Sequence, residues 1–222
     1  MLWLTAKTEP RGRIQTRLNI GRIVFVPLLL ILIVVVGCAA VLSPMKPGTN
    51  DSIKSDEGVV LGRIQLTDST GAAFQSPKQP FRTSFHLQWR LKEQVLGKEY
   101  VIDPLPNEGP FVVKLPTGSY ELTVLSFDTA LGIWQAFLPT TFTVSSQACT
   151  YLGTWELRTK AGFFDGSIVR HVVDQPALAE SDLQIFVNGR LGNPMVTQLS
   201  PSTASPLLLT FRTQGTELTS PP

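Results

Sequence analysis

Two imidazoles, His86 and His171, two thiols, Cys38 and Cys149, and scattered carboxylates such as Asp103, Asp128, Asp165 and Asp174 are the groups with which this chain could do chemistry. A transition-metal site needs several imidazoles, thiolates or carboxylates to converge. His86 and His171 fall in unrelated strand patterns, so each reads as a solvent-facing strand residue, and no metal or cofactor is expected. Cys149 shares strand parity with Tyr151, Trp155 and Leu157 and reads as a buried, inert thiol. There is no Gly-x-Ser-x-Gly elbow, and the glycines from Gly58 to Gly62 lack the lysine of a phosphate loop. The four carboxylates would act as an acid-base pair only where a fold brings two of them together. The chain therefore reads as a non-enzyme. Trp89, Trp134 and Trp155 pose a binding question, because exposed aromatics can stack on sugar rings. Trp89 and Trp155 sit at inward parity. Trp134, beside Gly132 and ahead of a break at Pro139, is the candidate contact for a carbohydrate or a partner.

Charge narrows the partners. The formal net charge is +2, but Lys7, Arg11, Arg13, Arg17 and Arg22 all precede the first apolar run, which only Glu9 offsets. Removal of everything before Cys38 leaves 14 Lys and Arg against 16 Asp and Glu, a net charge of −2. A faintly acidic body without a basic stripe argues against nucleic acid, since phosphate binding requires clustered cations.

Residues 1–22 form a basic n-region and residues 23–42 an uncharged apolar segment. Twenty apolar residues in a helix reach about 30 Å, the thickness of a bilayer core. Cations ahead of the run hold the N-terminus inside and send the rest across. Val35-Val36-Gly37-Cys38 resembles the lipobox of bacterial lipoproteins, an aliphatic residue at −3, a small residue at −1 and a cysteine at +1. The resemblance implies a diacylglycerol on Cys38 and removal of the preceding peptide, with Ile23 to Val36 as the signal h-region. The other reading is an uncleaved signal-anchor helix. Ala39 stands where an Asp would favour retention in the inner membrane, so the resemblance points to the outer membrane where the host has one, with the body facing the extracytoplasmic side. Residues 43–57, rich in Pro, Gly, Ser and charge, read as a flexible tether.

Residues 58–192 read as the folded body. Phe85, Leu87, Trp89 and Leu91 alternate with polar residues, the period of a half-buried strand. Phe111, Val113 and Leu115 repeat this, Pro116-Thr117-Gly118 supplies turn chemistry, and Tyr120, Leu122 and Val124 continue it, predicting a hairpin. Further strands are expected over Val59 to Thr67, Val95 to Ile102, Gly132 to Val144, Cys149 to Arg158 and Ser167 to Val173. About seven strands without helical periodicity among them predict a mainly β fold, an antiparallel Greek-key sandwich. Asp174 caps a predicted short helix with Pro176 in its first turn and Ala179, Leu183, Phe186 and Val187 on one face. Residues 193–222 read as a flexible Pro/Ser/Thr-rich tail in which Leu207 to Phe211 is either an edge strand or an exposed sticky segment.

The run Phe111-Val-Val-Lys-Leu-Pro-Thr-Gly-Ser-Tyr-Glu-Leu122 resembles the F-x-V-x-L-P-x-G-x-Y-x-L signature of carboxypeptidase regulatory-like and transthyretin-like domains. Phe142-Thr-Val and Tyr151-Leu-Gly-Thr-Trp-Glu-Leu157 are similar to the closing strands of small lipoproteins with such a sandwich. The resemblance covers about 100 residues and implies a prealbumin-like, non-catalytic β-sandwich with no ligand specified. Two functions are expected from these readings: an envelope lipoprotein whose sandwich contacts a protein partner, or a surface carbohydrate-binding module.

Overall fold

Alternation of apolar and polar side chains sorts the strands into two sheets that share one interior. The computed structural model describes residues 39–49, 52–73, 87–128, 133–161, 166–187, 191, 193–203 and 205–212; the basic n-region, the apolar run as far as Cys38, His86 and Asp165 lie outside the described residues. The first sheet holds β1 (Ala40–Leu42), β3 (Leu87–Glu93), β4 (Glu99–Leu105), β6 (Gly118–Asp128), β7 (Ile133–Val144) and β12 (Thr210–Arg212), in the order β1-β4-β3-β6-β7-β12. The second holds β2 (Glu57–Thr67), β5 (Glu108–Pro116), β8 (Cys149–Ala161), β9 (Gly166–Val173), β10 (Met195–Thr197) and β11 (Leu207–Leu208). Its order is β11-β9-β8-β2-β5, with β10 beside the first residues of β8.

The fold is mainly β, with two mixed sheets and, among the described residues, one helix, α1 (Pro176–Val187). The all-antiparallel expectation is corrected: β1 runs parallel to β4, and β2 and β10 run parallel to β8. The expected hairpin at Pro116-Thr117-Gly118 is also corrected. β5 pairs with β2 in the second sheet, whereas β6 pairs with β3 and β7 in the first. The chain turns a corner between sheets there. Both strands aim alternate side chains into the same interior, so a corner and a hairpin leave the same period of two.

At the centre Trp89 of the first sheet meets Trp155 of the second at 4.6 Å between centroids and Phe111 edge-on at 4.8 Å. A second apolar cluster lies on the outer face of the second sheet, where Val59, Leu61, Val112, Cys149 and Tyr151 are covered by Ala179, Phe186 and Val187 of α1. Gln175 stands in the N-cap position, one residue past Asp174, and its carbonyl accepts from the amides of Leu178 and Ala179.

The body extends beyond the limits expected from composition. Ala40–Leu42, expected within the apolar segment, forms β1. The expected tether then packs down: Met45 is buried, its amide donates to the carbonyl of Val112 at 2.7 Å, and Ile53 joins the cluster beneath α1. Composition hides this because two apolar anchors, Met45 and Ile53, suffice to dock a polar segment. The expected tail contributes β10, β11 and β12, and Leu209 is buried in the main core. Residues 213–222 are outside the described range.

Candidate functional site

α1 covers the part of the second sheet's outer face around Val59, Leu61, Val112, Cys149 and Tyr151. Elsewhere on that face, Gln65 and Thr67 from β2, Glu156 and Arg158 from β8, and Val169 and His171 from β9 line a shallow groove of about 420 Å³ together with Gly71. The register that places Glu156 opposite His171 brings Nδ1 of His171 to 3.0 Å from Oε2 of Glu156. Both side chains are exposed, at 62% and 45%, so the pair contributes little to stability, about 0–1 kcal/mol. It stands open to a ligand. The groove thus offers a carboxylate, an imidazole, a guanidinium and an amide on one rigid, solvent-facing sheet.

Of the residues singled out by type and spacing that lie among the described residues, His171 is the one that contributes to this surface, and it faces solvent as its strand parity implies. Its partner Glu156 is not legible in the sequence, because strand pairing and register fix it; the outward parity of Glu156 and Arg158 is the one signal that points there.

The other candidates are dispersed. Asp103 lies on β4 in one sheet, Asp128 ends β6, and Asp174 follows β9 in the other sheet. No group of three or more His, Cys, Asp or Glu converges among the described residues. Cys149 is fully buried, and burial pushes its thiol up to about 12. Cys38 is outside the described residues. Trp89 and Trp155 fill the core, and the reading of Trp134 as a contact residue is corrected. Trp134 is 4% exposed and packs on Phe211 of β12 at 5.0 Å, covered by the C-terminal segment that composition marks as a tail. Pro139 does not end its strand, because a register shift between Leu122 and Val124 of β6 accommodates it within β7. With all three tryptophans inside, the body offers no tryptophan platform for sugar rings, and the carbohydrate-binding alternative loses the feature it rested on.

Two arginines held within the packing leave no mark in the sequence pattern. Arg63 grips Asp182 of α1 through two bonds of 3.1 Å, Nε to Oδ2 and Nη2 to Oδ1. Arg170 lies 4.9 Å above the Trp155 ring and donates from Nη1 to Oγ1 of Thr140 at 2.8 Å. Desolvation lowers its pKa, and among the described residues no carboxylate pairs with it. Both belong to the packing.

Compared with known proteins, the chain matches no family model, no curated protein and no solved structure.

Proposed function

We propose that this chain is an exported bacterial envelope protein, held at a membrane through a lipid on Cys38, that displays a non-catalytic, transthyretin-like Greek-key sandwich to a protein partner. The observation that carries the reading is the cation-flanked apolar run ending in Val35-Val36-Gly37-Cys38, set immediately before the first strand. β1 takes Ala40–Leu42 away from the run. What is left, Ile23 to Ala39, is seventeen residues, about 26 Å as a helix, at the lower limit of a membrane span. Ile23 to Val36 by itself fits a signal h-region cut before Cys38. The balance therefore moves toward lipidation and away from an uncleaved helix.

The partner surface in this reading is the groove of Gln65, Glu156, Arg158 and His171, whose mixed donors and acceptors suit a polar peptide segment. Metabolic labelling with a palmitate analogue tests the anchor. The tag should appear on the native protein, and Cys38→Ser should abolish it and leave a larger precursor. A full-length, unlabelled chain that stays in the membrane would establish the helical anchor instead. A chain that never enters the membrane fraction would end both.

A further inference from the structure

The register of β1 fixes which end of the sandwich receives the anchor. Ala40 pairs with Tyr100 and Leu42 with Ile102, in parallel, so the chain enters the first sheet at the end where β4 begins. The turn from β3 to β4, residues 94–98, lies at that end. Cys38 is two residues upstream of Ala40, at most about 7 Å of extended chain. Because the segment after β1 is packed onto the body, no spacer separates the anchor from the sandwich.

That turn has an unusual surface. Val95 is 81% exposed and Leu96 72%, adjacent in sequence and at the tip. Their backbone is held in this posture by a buried carboxylate: Glu93 Oε1 accepts from the Val95 amide at 3.0 Å, and Oε2 accepts from the Leu96 amide. The amide of Glu93 donates to the carbonyl of Lys98 at 2.8 Å, and that of Gln94 to Ser119 at 2.9 Å. A buried acid is thereby spent on fixing two aliphatic side chains outward. Val41, 67% exposed on the β1 edge, adds to the apolar surface beside it. Lys92 and Lys98 flank the tip and Glu99 follows it, all exposed, so the local charge is close to balanced and the surface is an apolar wedge with a polar rim.

We infer that the β3–β4 turn is a membrane-contact wedge: Val95 and Leu96 enter the headgroup layer beside the lipid on Cys38 and lay this end of the sandwich on the bilayer. The inference rests on the proposed N-terminal anchor. It commits the surface to lipid because the anchor point is tethered by a few residues to the same end of the sheet as the turn, which gives lipid an effective concentration no soluble partner matches. The groove, built from the last residues of β2 and from β8 and β9 beside them, sits toward the opposite end of β2 and stays open to the envelope.

The test uses the full-length protein extracted from membranes and reconstituted in phosphatidylcholine vesicles. An environment-sensitive fluorophore is attached through Leu96→Cys or, as a control beyond the far end of β2, through Ser69→Cys, with the labelled parent chain as the blank. Lipids carrying a nitroxide high on the acyl chain should quench the label at 96 several-fold more than the label at 69, and its emission should shift to the blue. Equal quenching in protein that sediments with the vesicles would overturn the wedge and leave the anchor standing. Protein that remains in the supernatant would overturn the anchor, and the wedge with it.

Discussion

The hydroxyl of Tyr120 donates to the carbonyl of Pro116, four residues upstream, at 2.8 Å, tying the start of β6 back to the end of β5 across the corner between sheets. This is a tyrosine corner, the device by which sandwiches pin a strand that changes sheets. The ring stacks on Phe142 at 5.7 Å and meets Tyr100 edge-on at 5.9 Å. Tyr120→Phe keeps the packing and loses the bond, and should cost about 1 kcal/mol. Tyr120→Ala removes both and should cost about 3 kcal/mol or more. Denaturant midpoints of a chain beginning at Ala39 separate the two contributions.

Gly153 tolerates a side chain less well than Gly118 does. Gly153 sits in β8 at φ +92°, where the pairing of β8 with β2 slips, and a Cβ there would meet Val172 Cγ1 at 2.6 Å and Leu199 Cδ2 at 2.9 Å. Gly118 has no positive φ, and its nearest contact for a Cβ is Glu93 Oε1 at 3.5 Å. Gly153→Ala should therefore cost about 2 kcal/mol or more, through strain and overpacking together. Gly118→Ala should stay within about 0.5 kcal/mol of the parent. Thermal melts of both variants decide it, and the reverse ranking would mean that the corner, not the slip in β8, limits stability.

What the sequence discloses, it discloses through periodicity. Val59 to Thr67, Cys149 to Arg158 and Ser167 to Val173 emerge as β2, β8 and β9 because alternation is a local property of each strand. Pairing is not local. The parallel contact of β2 with β8, the corner at Pro116 and the Glu156–His171 pair all depend on which strand lies beside which, and the period of two is blind to that. Periodicity also places Val95 and Leu96 in a strand, yet Gly97 at φ +68° and the Glu93 carboxylate hold them in a turn. The boundaries fail for a different reason. Short docked segments such as Ala40–Leu42 and Leu207–Leu208 have too few residues to show a period. A chain begun at Asp56 would lack β1 and expose the apolar surface that Met45 and Ile53 cover.

Docking of α1 should hinge on Arg63 and Asp182. The Asp182 side chain is 7% exposed and that of Arg63 27%, so removing the cation strands a nearly buried carboxylate. Arg63→Met should cost about 2–3 kcal/mol, below the usual penalty for breaking a fully buried pair because water reaches the arginine. Adding Asp182→Leu should recover much of that loss by replacing the lone charge with apolar packing. Hydrogen exchange of the α1 amides should accelerate in the single variant and slow again in the double one. Exchange unchanged in Arg63→Met would show that Ala179, Phe186 and Val187 hold the helix without the ion pair.

Stability should fall at alkaline pH because Cys149 is buried as a neutral thiol. Its pKa is raised from 9.0 to about 12 by desolvation. A group that holds its proton more tightly when folded favours the native state fully below the unfolded value. That contribution is lost as pH climbs from about 9 toward 12, where the unfolded thiol ionises and the folded one does not. At pH 10 the loss should be about 1 kcal/mol. Tyr120, whose pKa burial also raises, adds to it at higher pH. Cys149→Ala should be less stable than the parent at neutral pH, because it leaves a small cavity under α1, yet show a shallower decline between pH 8 and 10. The slope of the urea midpoint against pH is the readout, paired with thiol titration. The native parent should react with Ellman's reagent at Cys149 only as fast as it unfolds, and prompt reaction together with an unchanged pH slope would mean that the thiol is solvent-accessible and that this account of its burial is wrong.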